Sequence, residues 1–298
     1  MKSFKKYVQS LTEGGNAVRG VSKINQENSM ATVEDIYKTY LPKLGIKKSD
    51  VAILGSTGKK APGAQSGDID MAISAPALLK SKKMNSLEEI LNAIASISKR
   101  SGHDFSIMKG LGIVSVAFPI TNADGKQAGE KVQLDFMIVD NVKYASWSYY
   151  SPSYLDSELK GLYRNILNFA VAKHAGLDVK KVDPETKEPV EWSRYVMDMG
   201  HGLYKGVQTN LSAKTGKKTK STRYLSKDLV TDDPNEIVKF LYGDKYKASD
   251  ILTFEQAFKA IKSSSFPHKS KRKEIFRMFS KSIQDAGYPV PEVLAREL

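Results

Sequence analysis

The sequence predicts an α+β protein: a mixed β-sheet flanked by helices in the N-terminal part, followed by a mainly α-helical C-terminal part. Three observations lead there. Up to about residue 142, short apolar runs and alternating segments are interleaved with stretches of helical spacing. After about residue 155 the strand signals fade and apolar residues recur at three- and four-residue intervals. The chain has 298 residues, 41% of them hydrophobic and 27% charged, which is ample for a sizeable core.

In the first part, residues 21–31 (VSKINQENSMA) are polar and read as a loop. Thr32 is placed to cap a helix ending near Leu44, since Val33, Ile36, Tyr37, Tyr40, Leu41 and Leu44 keep helical spacing. Val51 to Leu54 is a short apolar run stopped by Gly55, the pattern of a buried strand. Residues 57–67, rich in Gly, Pro and Lys, read as a loop, and Ile69 to Ile73 as a second strand. Asn85 with Glu88 suggests a capping box opening a helix that runs to Lys99. Residues 111–120 and the alternating 131–139 read as paired strands, with 121–130 as their loop.

In the second part, Leu159, Leu162, Ile166, Phe169 and Ala170 line one face of a long helix ending near Gly176. Residues 191–205 look helical despite Gly200 and Gly202, and further helices are expected at 234–242, 253–262 and 271–286. Residues 213–223 (AKTGKKTKSTR) read as a basic loop. The junction at 149–154, Tyr-Tyr-Ser-Pro-Ser-Tyr, is aromatic rather than linker-like, which predicts that the two parts pack closely. The expected division is an N-terminal extension at 1–31, a first domain at 32–150 and a second at 151–298.

Several function classes drop out. Cysteine is absent, which excludes disulfides, thiolate chemistry and Cys-ligated zinc and fits a reducing compartment. The four histidines, His103, His174, His201 and His268, show no metal-ligand spacing. No run reaches the roughly 18 apolar residues that a transmembrane helix requires, so no membrane partner is expected. A net charge of +13 favours polyanionic partners, nucleotides or nucleic acid.

The chemistry concentrates in 51–73, VAILGSTGKKAPGAQSGDIDMAI. A strand ends in Gly55-Ser56, and twelve residues after Ser56 comes Asp68, then Ile69 and Asp70 opening the next strand. Residues i and i+2 of a strand share a face, so Asp68 and Asp70 present two carboxylates side by side. Adjacent carboxylates repel and are best held by a hard cation such as Mg²⁺, which binds one or two carboxylates together with substrate phosphates. A third carboxylate, Asp135, lies in VQLDFMIV on the face shared by Gln133 and Met137; a charge amid an apolar strand is costly to bury unless paired or metal-bound.

This ordered set of Gly-Ser, a gap of about a dozen residues, Asp-apolar-Asp and a later strand Asp resembles the DNA polymerase β-like nucleotidyltransferase superfamily. The match covers about residues 51–140, and more broadly the chain is similar to proteins of large tailed phages described as nucleotidyltransferases. The resemblance implies a nucleotidyltransferase fold and transfer of a nucleoside monophosphate from an NTP, ATP or CTP, to a hydroxyl with release of pyrophosphate. It implies two Mg²⁺ (or Mn²⁺) ions, with Asp68 and Asp70 as shared ligands and Asp135 holding the catalytic metal and acting on the acceptor hydroxyl. Gly55 and Ser56 would hold phosphates. One departure is that Pro62 and three glycines (Gly58, Gly63 and Gly67) fill the gap where many members carry a helix, which would leave Lys59 and Lys60 free to reach phosphates. Tyr163 and Arg164 fall in a region that faces the nucleotide in that superfamily, implying a base stack and a phosphate contact.

For the acceptor, an RNA 3′ end, that of tRNA included, suits the charge better than DNA. The alternatives are nucleotidylation of a protein, a small molecule or a second nucleotide, or a catalytically silent nucleic-acid-binding virion protein. Between Met199 and Lys227 stand seven Lys and Arg and no acidic residue; Lys214, Lys217, Lys218, Lys220 and Arg223 are the expected nucleic-acid contacts, with Tyr204 and Tyr224 able to stack on bases. At the N-terminus, Phe4, Tyr7, Val8 and Leu11 make a short amphipathic face, and Leu11-Thr12-Glu13 before Gly14 resembles the cleavage site of capsid-targeting peptides in T-even-type phage head proteins. That resemblance implies cleavage after Glu13 and packaging in the virion; otherwise the expected place of action is the host cytoplasm.

Overall fold

A computed structural model describes residues 17–82 and 84–297. The amphipathic segment and the expected cleavage site at 4–14 lie outside the described residues. The chain forms two compact units, meeting in sequence between Glu158 and Leu159.

The first unit contains β1 (Ile24–Asn25), α1 (Gln26–Leu44), β2 (Val51–Ile53), β3 (Gln65–Ser66), β4 (Asp68–Ser74), α2 (Ala75–Lys82), α3 (Leu87–Arg100), β5 (Phe105–Met108), β6 (Ile113–Thr121), β7 (Gln127–Val139) and α4 (Val142–Ser148). Five strands form one mixed sheet in the order β2-β4-β7-β6-β5. Its central pair, β4 and β7, is parallel, and the other pairs are antiparallel. Period-two alternation sorts the side chains. Ile69, Met71 and Ile73 of β4, Leu134 and Phe136 of β7, and Val114, Val116 and Phe118 of β6 are buried against Val33, Ile36 and Tyr40 of α1 and Ile90, Ile94 and Ile97 of α3. On the other face, Leu54, Ala72 and Val139 form a smaller cluster with Ala145 of α4. The register sets Asp70 beside Asp135 and Asp68 beside Gln133 on this second face.

Several expectations are corrected here. The loop expected at 21–31 is instead β1 and the first turn and a half of α1, which starts at Gln26 rather than at Thr32. The polar residues that suggest a loop make tertiary bonds from a helix. Gln26 Oε1 accepts from Lys60 N at 3.3 Å, Glu27 Oε1 from Gly63 N at 2.6 Å, and Asn28 bonds Asn122 and Ala123. Thr32 caps no helix: its buried hydroxyl donates to Thr121 O and accepts from Thr121 N, closing the end of β6. The cap of α3 is Ser86, not Asn85, and Glu89 completes it by accepting from Asn85 N. The β6–β7 loop shrinks to 122–126, because the strands continue to Thr121 and from Gln127. Strand β5, only four residues long, was not expected.

The second unit contains α5 (Gly161–Ala175), β8 (Asp178–Val182), β9 (Pro189–Asp198), β10 (Gly202–Leu211), β11 (Lys218–Thr231), α6 (Pro234–Tyr242), α7 (Phe254–Lys262), α8 (Arg272–Asp285) and α9 (Glu292–Ala295). It is not mainly α-helical. An antiparallel sheet in the order β11-β10-β9-β8 takes up much of it, packed by β9 onto α5. The segment expected as a helix at 191–205 forms β9, a turn and β10. Trp192, Tyr195, Val196 and Met199 imitate helical spacing, but on β9 the buried Ser193 and Met197 share one face of a pleated strand, and Met197 stands opposite the buried Leu203 of β10. The basic loop expected at 213–223 is a turn followed, from Lys218, by β11. Helices at 234–242, 254–262 and 272–285 agree with the sequence reading to within a residue. Among the described residues no helix is long and apolar enough to cross a membrane.

Candidate active site

Asp68 and Asp70 sit at the start of β4, and Asp135 lies on the neighbouring parallel strand directly beside Asp70. Alternation turns all three onto the sheet face away from α1 and α3, and carboxylate oxygens of the three lie within 4.8 Å of one another. Three like charges this close raise each other's cost of ionisation. Burial, then the charge of Asp135, pushes the Asp68 carboxyl up to about 6, with Lys60 pulling it back. The Asp70 carboxyl has the most crowded surroundings and is pushed well above the ordinary carboxylate range by burial, then by Asp68 and Asp135. Asp135 is also raised by burial, against the pull of Ser115 and Gln133.

Gln133 is the residue whose part the sequence does not announce. Its Nε2 donates to both Asp135 oxygens, at 3.1 and 3.0 Å, and its Oε1 accepts from Ala17 N at 2.8 Å. The amide is therefore locked at both ends and fixes the Asp135 carboxylate plane. Its position two residues before Asp135 on a strand was the only available signal. Ser115 lies opposite Asp135 on β6; its hydroxyl is buried and near enough to lower the Asp135 pKa, yet makes no well-aligned hydrogen bond.

The turn after β2 closes one side of the site. Gly55 has φ +61°, and a Cβ there would come within 3.2 Å of Asp70 Oδ2, so both the backbone and the carboxylate demand glycine. Its N–H donates to Tyr149 O at 3.1 Å, tying the turn to the end of α4. Beyond it, the N–H groups of Ser56, Thr57 and Gly58 and the Ser56 hydroxyl donate to no other described group. A turn of successive unpaired N–H groups is a nest for anionic oxygens.

Lys59 and Lys60 are not the free lysines expected of a loose loop. Lys59 Nζ donates to Ser151 O at 3.0 Å and lies 4.1 Å from the Tyr150 ring centroid; Lys60 Nζ donates to Gln65 O at 2.7 Å. The loop itself is clamped by β1 pairing with β3. Within the second unit, Tyr163 and Arg164 are core residues. Tyr163 is packed edge-on against Phe254 and Tyr288 with its hydroxyl on Pro289 O, and Arg164 is fully buried, bonded to Asn165 Oδ1 and Ile251 O. Neither side chain is open to a nucleotide. Lys214 and Lys217 lie in the β10–β11 turn, and Lys218, Lys220 and Arg223 on β11.

No family model matches the chain, and no curated protein matches it.

The donor set can be tested against a metal directly. It is all oxygen, anionic and held on rigid strands, with one nearby ammonium, on Lys60, to offset the charge. Such a set suits hard divalent cations, Mg²⁺ or Mn²⁺, and not soft ones. Asp68, Asp70 and Asp135 would hold them.

Proposed function

We propose that the first unit is a divalent-cation-dependent nucleotidyltransferase, moving a nucleoside monophosphate from an NTP to a hydroxyl acceptor. The observation that carries the reading is the three-carboxylate cluster on adjacent parallel strands, bordered by a glycine turn with unpaired N–H groups. When bound, divalent cations lower the pKa of an attacking hydroxyl and neutralise a departing pyrophosphate. The chain supplies the rest. Ser56 and the following N–H groups receive the triphosphate oxygens. Asp68 and Asp70, fixed side by side by the strand pleat, would hold the cations that offset the triphosphate's charge. Asp135, oriented by Gln133, faces the acceptor hydroxyl and draws its proton as the new P–O bond forms at the α-phosphorus. The bond to the β-phosphate breaks, and pyrophosphate leaves with the electron pair.

The test is incubation with α-labelled NTPs, Mg²⁺ or Mn²⁺ and mixed RNA, following label transfer and pyrophosphate release, with ATP and CTP expected as the preferred donors. Pyrophosphate release that disappears in Asp68→Asn supports the reading. Absence of release with all four NTPs and both metals overturns it.

A further inference from the structure

The sheet of the second unit has an open edge with an unusual surface. Its outer strand, β11, is exposed at every residue from 221 to 230, on both faces. An uncovered edge strand invites pairing with another chain, and lysines are a common device against it. Here the turn and β11 carry Lys214, Lys217, Lys218, Lys220, Arg223 and Lys227. Two of these are neutralised, Lys218 by Glu188 and Lys227 by Asp198. Lys214, Lys217, Lys220 and Arg223 make no ion pair among the described residues, whereas Lys205 on β10 stands opposite Asp228. The same charge would repel a second copy of the strand.

One face of the sheet adds aromatic and cationic groups in register. Gly206 of β10 stands opposite Arg194 of β9, and Gln208 opposite Trp192. Trp192 Nε1 donates to Gln208 Oε1 at 3.2 Å, which places the indole on this face, and Arg194 two residues on shares it. Tyr224 of β11 lies across Gly206: a Cβ there would come within 2.7 Å of Tyr224 Cε1, so the ring rests on bare backbone. Tyr224 is 41% exposed. Arg194 is half-buried without an acidic partner among the described residues.

We propose that this face and the β10–β11 turn bind single-stranded nucleic acid, with Tyr224 and Trp192 stacking on bases and Arg194, Lys214, Lys217 and Lys220 contacting phosphates. Aromatic rings on an open sheet interleaved with cations suit unpaired bases, whose π-faces a duplex hides. The inference deepens the transferase reading by naming the acceptor as a nucleic-acid strand, and it rests on that reading only there.

The test uses the full chain in EDTA without nucleotide, so binding is measured apart from catalysis. Labelled RNA and DNA strands of about 15 nucleotides and a duplex of the same sequence are titrated by fluorescence anisotropy at several salt concentrations. The expected result is preference for single strands over duplex, the two strand chemistries being distinguished by their affinities. Replacing Lys214, Lys217 and Lys220 together by Gln should lower the slope of log K against log salt by about 2, at about 0.7 per lost contact. Tyr224→Ala should weaken binding about ten-fold without changing the slope, and Tyr224→Phe should restore it. Equal affinity for duplex, an unchanged slope in the lysine variant, or full affinity in Tyr224→Ala overturns the proposal. So does sedimentation showing a dimer that Tyr224→Ala dissolves, which would assign the edge to a second copy. Absence of transferase activity leaves a positive binding result intact, and absence of binding leaves the transferase reading to its own test.

Discussion

Asp70 concentrates the conflict on which the candidate site is built. Its carboxyl is crowded by Asp68 and Asp135 on rigid strands, so ionising all three opposes folding. The sign follows from linkage. For Asp68 the folded pKa is about 6 against 3.8 for the free side chain. The folded state therefore holds its proton longer, and stability falls as pH rises from about 4 to 6 and stays reduced above. At pH 8 in EDTA, Asp70→Asn should melt at or above the wild-type temperature, because it removes one of three repelling charges. Mn²⁺ should raise the melting temperature of the wild type, and Asp70→Asn should lose that rise. A variant that melts lower in EDTA yet keeps the Mn²⁺ response would contradict the cluster's role as a cation site. Gln133 is tested separately. Gln133→Leu keeps the volume but releases the Asp135 carboxylate, and loss of such an orienting partner costs about 10–100-fold in activity or metal affinity. We expect kcat to fall by that factor with the KM for NTP little changed; an equal loss in both would indicate a merely structural role.

At the scale of elements, α1 is tied to the sheet by more than its apolar stripe. Thr32 supplies both a donor and an acceptor to the backbone of Thr121 at the end of β6. Thr32→Val keeps the shape and leaves a buried N–H and C=O without partners, at a cost of about 1–3 kcal/mol. Urea unfolding should show that loss with an unchanged m-value; a smaller loss would mean that β6 relaxes to find water. The first turn of α1 also holds the 57–67 loop through Gln26 and Glu27, while β1 pairs with β3. A loop rich in Gly and Pro is thereby made rigid just before Asp68, and its rigidity comes from a segment more than thirty residues earlier.

For the whole molecule, the division into two units separates the carboxylates, wholly within residues 17–158, from the basic ribbon, wholly within residues 159–297. Hydrogen exchange can read this division. Added Mn²⁺ should slow exchange in β4, in β7 and in the turn at 55–58, and leave β9 to β11 unchanged. Protection spread evenly over both units would contradict a cation site confined to the first.

The sequence alone determined the elements whose apolar pattern has one period. The strands around 51–54, 69–73 and 131–139 and the helices at 234–242, 254–262 and 272–285 were legible, because burying one face dictates either a two-residue or a 3.6-residue repeat. The side-by-side placement of Asp68 and Asp70 was legible for the same reason, being a local consequence of the pleat. Only the tertiary structure decided the rest. Residues 191–205 satisfy both periods, and the neighbouring strands settle the ambiguity by pairing with β9 and β10 on both sides. The parallel pairing of β4 with β7, which brings Asp135 to Asp70, is a contact between residues 65 positions apart that no local pattern encodes. The resemblance points to Tyr163 and Arg164, but their exposure depends on which elements cover α5, and Phe254, Ile251 and Pro289 cover them. The side-chain chemistry and local spacing were written in the chain; which groups meet, and which are buried, depended on contacts between segments far apart in it.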